Sequence, residues 1–166
     1  IGGYHLDAGG KGSTVNLYTG DRGVDRFIKI LPHPTNPDYV FFQPQHSDNV
    51  VDITNASTSP GARLQLWKKD DNNLGQMFKM IQIPGEMDTY YLQNAKSGLY
   101  LTAHGKGKAI TQERFNKDDK QKWYFQKTSG SEMAPPYTSR TYALENVMAQ
   151  KVIDVPGAAP HQERKD

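Results

Sequence analysis

The side chains able to do chemistry fall into small, separate groups. Five histidines (His5, His33, His46, His104 and His161) show no metal-ligand spacing. The chain has no cysteine, which removes disulfides, thiolate zinc sites, iron–sulfur clusters and a cysteine nucleophile. Asp70 with Asp71, or Glu86 with Asp88, would be acid pairs on paper. Runs such as Lys68-Lys69-Asp70-Asp71 and Lys117-Asp118-Asp119-Lys120 instead read as solvated turns. Gly10-Lys11-Gly12-Ser13 is superficially a phosphate loop, yet Gly105-Lys106-Gly107 repeats it and marks it as a hairpin turn. Asn55-Ala56-Ser57 is a glycosylation sequon close after Asp52. Arg63-Leu64-Gln65-Leu66-Trp67 alternates, so Leu64 and Leu66 share one face and Gln65 and Trp67 the other. No catalytic set, metal site or cofactor motif emerges.

The elements that position these residues are short strands. Helical periodicity is almost absent, and runs such as Tyr39-Val40-Phe41-Phe42, Tyr90-Tyr91-Leu92 and Trp123-Tyr124-Phe125 are β-branched or aromatic. Most of the 15 Gly and 10 Pro fall between such runs, where turns need them. With 166 residues, 36% of them hydrophobic, the chain suits one all-β domain. A net charge of +2 is too small to imply a nucleic-acid partner. No apolar run approaches the ~20 residues of a membrane helix, so no membrane insertion is expected. The compartment, secreted or cytoplasmic, stays open.

A repeat decides the architecture. Leu6-Asp7-Ala8, Val51-Asp52-Ile53, Leu101-Thr102-Ala103 and Ile153-Asp154-Val155 recur about every 45–52 residues. Phe27-Ile28-Lys29-Ile30, Phe78-Lys79-Met80-Ile81 and Trp123-Tyr124-Phe125 recur with the same period, as do strands opening at Tyr39, Tyr90 and Tyr142. Units of about four strands in three copies are too few for a propeller of typically 4–8 blades. The expectation is a β-trefoil with pseudo-threefold repeats, a barrel whose closure removes exposed edges. The expected division is one domain over 1–166, with units near 1–34, 35–84 and 85–130 and with 131–166 closing the barrel or partly redundant. Thr141–Glu145 would then supply the first strand missing before the N-terminal unit.

Gln121-Lys122-Trp123, Gln76-Met77-Phe78 and the degenerate Asp25-Arg26-Phe27 open the aromatic strands. Gln-x-Trp at this place resembles the signature of ricin B-type lectin repeats, and the resemblance spans essentially the whole chain. It implies that Trp123 and Phe78 are architectural. It also implies a sugar site made of an Asp ending the short second strand, a polar residue and an exposed aromatic on the third, and an amide before Gln-x-Trp. The second unit matches with Asp52, Gln65, Trp67, Asn73 and Gln76. A carboxylate accepts hydroxyl hydrogen bonds, a ring covers the C–H face of a pyranose, and amides fix orientation. The first unit offers the variant Asp7, Asn16 and Tyr18. The third has Thr102, Thr111 and Glu113, and loses both carboxylate and platform.

The resemblance therefore implies a non-catalytic lectin for galactose or N-acetylgalactosamine glycans, needing no metal or cofactor. Several sites, or a homo-oligomer, would raise its avidity. Two other readings stay open. One is a trefoil protease inhibitor or other protein-binding module using the Pro-containing loops Leu31–Asp38 and Thr128–Ser139. The other is a carbohydrate-binding module cut from a glycosidase.

Overall fold

The computed structural model describes residues 4–7, 11–12, 14–19, 27–45, 47–127 and 141–148, with backbone alone at 4–7, 16–19 and 127. Twelve strands follow one another: β1 (Tyr4–Asp7), β2 (Asn16–Thr19), β3 (Phe27–Pro32), β4 (Val40–Pro44), β5 (Asn49–Ile53), β6 (Leu64–Lys68), β7 (Phe78–Gln82), β8 (Thr89–Asn94), β9 (Tyr100–Thr102), β10 (Thr111–Glu113), β11 (Trp123–Lys127) and β12 (Thr141–Asn146). All their pairings are antiparallel. Six strands form a closed ring in the order β3, β4, β7, β8, β11, β12 and back to β3. The other six form the hairpins β1–β2, β5–β6 and β9–β10.

That arrangement follows from the alternating pattern. In β3 the side chains of Ile28 and Ile30 are buried while Lys29 is exposed, as a strand with one wet face requires. The barrel interior is aromatic. Phe42 lies 5.5 Å from Phe78 and 6.0 Å from Phe125, and Phe125 meets Tyr90 and Tyr142 edge-on. Trp123 and Phe78 are fully buried, and the Trp123 indole donates to the Leu101 carbonyl at 3.1 Å. Both are core residues, as the resemblance implied.

The threefold pattern has a physical centre. Val15 N–H donates to Leu64 O at 3.1 Å, Leu64 N–H to Ile110 O at 3.0 Å, and Ile110 N–H back to Val15 O at 3.0 Å. This triangle joins the three hairpins. All three side chains at its corners are buried in the core. β12 lies between β3 and β11 in the barrel and also pairs with β1 through His5 and Glu145. The segment Pro156–Arg164, where the fourth copy begins to lose its pattern, lies outside the described residues, as does Thr128–Ser139, expected as a loop.

Candidate functional site

The three hairpins share one register. Asp52 stands opposite Gln65 and Val50 opposite Trp67 on β5–β6. In the other two hairpins Asp7 pairs with Asn16 and His5 with Tyr18, Thr102 with Thr111 and Tyr100 with Glu113. Residues directly opposite in an antiparallel pair lie on the same face. The β5–β6 hairpin therefore sends Val51, Ile53, Leu64 and Leu66 into the barrel core and holds Asp52, Gln65 and Trp67 together on its outer face. For Asp7, Asn16 and Tyr18 the backbone register is described and the side chains are not.

The outer face is not uniformly open. Trp67 is 42% exposed, whereas Asp52 is only 3% exposed. A sequence reading takes a strand-end Asp as exposed. Here the 3-10 turn Leu74–Gln76 folds over the strand and covers it, an effect of chain two dozen residues downstream that alternation in β5 does not report. Burial pushes the Asp52 carboxyl above its ordinary range, and the hydrogen bond from Gln76 offsets part of that rise.

Gln76 is the structural hub of this region. Its side chain is fully buried. Nε2 donates to Asp52 Oδ2 at 3.1 Å and to the Lys68 carbonyl at 2.8 Å, while Oε1 accepts from Asp70 N–H at 2.8 Å. Both amide hydrogens are thus used within the protein. Gln76, expected among the sugar contacts, has nothing left to donate outward and acts on the site through Asp52 and the loop after β6. Asn73 is also partly committed: its Oδ1 accepts from Gly75 N–H at 2.9 Å and caps the 3-10 turn. From above, Asn94 locks the same turn by donating to the carbonyls of Leu74, Gly75 and Met77. Asn146 does the same for Lys120 and Lys122 one repeat later, so the matched Asn at the ends of β8 and β12 was the available sequence signal.

A polar cleft opens beside the Trp67 ring, walled by Lys68, Lys69, Asp70, Asp71, Asn72 and Asn73. The indole is braced by the preceding hairpin. Lys11 Nζ lies 4.5 Å over the ring centroid, Gly12 N–H donates to Leu66 O, and Thr14 bridges to Gln65. Gly12 has φ +82°, a backbone conformation that favours glycine in this turn. Sequence reasoning placed Lys11 in a turn and had no means of bringing it to Trp67. The far wall is fixed by His33, whose Nδ1 accepts from the N–H groups of Thr35 and Asn36. Its Nε2 donates to the Asp71 carbonyl at 2.8 Å.

The third repeat builds the same clamp with different chemistry at the surface. Gln121 Nε2 donates to Thr102 Oγ1 at 3.1 Å and to Arg114 O at 2.8 Å, and its Oε1 accepts from Asn116 N–H at 3.0 Å. Thr111 Oγ1 gives its hydrogen to Glu113 Oε2 at 2.5 Å and accepts from His104 Nε2. Among the described residues no three His, Asp or Glu side chains gather into a metal-ligand cluster.

A paired clamp under Gln-x-aromatic, three register-matched hairpins and a six-strand barrel point to one family. A family model described as ricin-type β-trefoil lectin domain-like matches residues 74–165. The chain belongs to that family. Solved structures agree on the fold. The designed threefold-symmetric protein ThreeFoil superposes with a TM-score of 0.65 at 22% identity, covering 73% of this chain and 89% of that one. SeviL bound to asialo-GM1 saccharide gives 0.53 at 14% identity, covering 75% and 95%. The Polyporus squamosus lectin bound to a sialylated Neu5Aca2-6Galb1-4GlcNAc epitope gives 0.56 at 13% identity, covering 74% of this chain and 48% of that lectin. No curated protein matches the chain. Within this ricin-type fold, the second repeat is where an acid, an amide and an open indole share a face.

Proposed function

We propose that this ricin-type trefoil is a non-catalytic carbohydrate-binding protein whose second repeat takes a galactose- or N-acetylgalactosamine-type sugar. The observation that carries the reading is the buried Asp52 carboxylate set in register beside Gln65, with an exposed Trp67 on the same face. Trp67 is the platform for the apolar face of the pyranose. Asp52 accepts from sugar hydroxyls, Gln65 and Asn73 add orienting contacts, and Gln76 keeps the carboxylate and the loop in place. A lectin for asialo-GM1 saccharide and one for a sialylated galactose epitope share the fold, which supports a glycan partner without fixing the sugar. Asp7, Asn16 and Tyr18 occupy the equivalent register in the first repeat and form a second, variant site. One such shallow site binds weakly, so two sites or a homo-oligomer would serve avidity.

The test is titration calorimetry with galactose and N-acetylgalactosamine on the native chain and on Trp67→Ala. The reading expects at least a tenfold loss of affinity, about 1.4 kcal/mol or more. Equal affinity in the variant would remove the second-repeat site. A second reading, a protein-binding module, has one observation in its favour: the expected loop Leu31–Asp38 begins in β3 and leaves it after Pro32, and its turn, with Pro34 and Pro37 exposed, is tied by the His33 ring, which accepts from the N–H groups of Thr35 and Asn36. A rigid exposed loop loses little entropy on docking. Protease inhibition by the chain with no glycan binding would favour it.

A further inference from the structure

At the turn end of the β5–β6 hairpin lies a second concavity, of about 860 Å3, within the ~300–1,000 Å3 of small-ligand sites. Its walls are the turn from Thr54 to Ser59, Arg63 just before β6, and Lys96 in the turn after β8. The lining contains hydroxyls, an amide and two cations, and no carboxylate. It differs in this from the Trp67 cleft, where Asp70 and Asp71 accompany the lysines.

Lys69 pairs with Asp71, and Lys122 with Glu86 and Asp119. Among the described residues Arg63 and Lys96 have no such acidic partner. Exposed lysines and arginines are ordinarily solvated singly. Two of them from different repeats facing one acid-free hollow are a different matter, because their fields add there.

The hollow is also preorganised. Gln112 is fully buried, and its Nε2 donates to the carbonyls of Ser57 and Ser59 at 2.9 and 3.0 Å. Its Oε1 accepts from Ser97 Oγ at 2.8 Å, next to Lys96. One buried amide thereby ties both walls together. Thr54 Oγ1 donates to the Arg63 carbonyl at 2.8 Å and fixes the Arg63 backbone. In the Thr54–Ser59 turn, Asn55 and Ala56 are consecutive non-glycine residues in the left-handed region, with φ of 58° and 49°. Such strain persists where surrounding structure imposes it, and it clusters at ligand clamps.

We infer that Arg63 and Lys96, with the hydroxyls of Ser57, Thr58 and Ser59, form an oxyanion-binding site. An arginine fork matches a carboxylate or sulfate bidentately, a lysine adds a point charge, and hydroxyls donate to the remaining oxygens. The ligand class is an oxyanion, either free or carried by a saccharide as a sulfate ester. The site stands apart from Asp52 and Trp67 and does not depend on the sugar reading.

The experiment is an amide-resolved NMR titration of the full chain at constant ionic strength, with sodium sulfate, galactose-6-sulfate and neutral galactose. Saturable shifts of the Thr54–Ser59 and Lys96–Ser97 amides are expected with both sulfates and not with galactose. Arg63→Gln raises the dissociation constant for inorganic sulfate, read at the Thr54–Ser59 amides, at least tenfold and Lys96→Gln severalfold. An unaltered spectrum away from the substitution shows that each variant folds. Galactose-6-sulfate binding at least tenfold tighter than sulfate assigns the site to a charged saccharide, and equal binding assigns it to a free oxyanion. Non-saturating shifts that chloride reproduces, or full sulfate binding in Arg63→Gln, would overturn the proposal.

Discussion

The second and third repeats solve one structural problem with different residues. Each hangs the loop before its aromatic strand on a buried glutamine, Gln76 or Gln121, and each gives that glutamine an acceptor on the short strand. In the third repeat the acceptor is the neutral Thr102 hydroxyl. In the second it is the Asp52 carboxylate, buried and with its proton affinity raised by that burial. A buried charge costs more than a hydroxyl, and the clamp works with the hydroxyl. The carboxylate is therefore in excess of what the fold needs. The residues around it differ accordingly: an open indole beside Asp52, and a closed Thr111–Glu113–His104 hydrogen-bond chain beside Thr102.

The strongest way to break this comparison uses the two tryptophans. Trp123→Ala empties a fully buried site and is expected to destabilise the fold by about 3–5 kcal/mol, read by urea unfolding. Trp67→Ala, at the exposed site, is expected to shift stability by less than ~1 kcal/mol. Comparable losses would mean that Trp67 is a packing residue. Next in size are Gln76→Ala and Gln121→Ala. Each leaves buried groups without partners, and each is expected to destabilise by about 1–3 kcal/mol. A large cost at one and none at the other would show that the clamps are not equivalent.

A smaller effect, with a definite sign, concerns pH. The folded Asp52 carboxyl titrates above the ordinary value of 3.8, so the folded state holds that proton more tightly than the unfolded chain. Relative to Asp52→Asn, the native chain is then most stable below pH 3.8 and loses stability as pH rises from there through the raised value. Pairwise unfolding curves across that interval should show this falling difference. Sugar affinity should run the other way, weakening on acidification as the carboxylate is neutralised. Smallest of all, His104→Ala should change stability by no more than ~0.5 kcal/mol, because its hydrogen bond to Thr111 lies at the surface.

Much of the fold was legible because its causes are local or periodic. Alternation in Arg63–Trp67 gave the strand and the outward indole, and the recurring aromatic openers gave the barrel. The pairing of Thr141–Asn146 with both β3 and β11 follows from the same repeat. The site was legible only in part, because its depth depends on chain far away. Asp52 reads as a strand-end acid, yet the Leu74–Gln76 turn covers it. Gln76 reads as a sugar contact, yet both its amide hydrogens are used internally. Lys11 reads as a turn residue, yet it stacks on Trp67 from the neighbouring hairpin. The bond from His33 to the Asp71 carbonyl has no periodic signature at all.

The most direct measurement exchanges the acceptors by making Asp52→Thr and titrating galactose calorimetrically beside the native chain. A second repeat with the third repeat's residue should fold with its clamp intact, keep or raise its thermal midpoint at neutral pH, and bind the sugar at least tenfold more weakly. Undiminished binding by a folded Asp52→Thr chain would contradict the assignment of that carboxylate to the ligand.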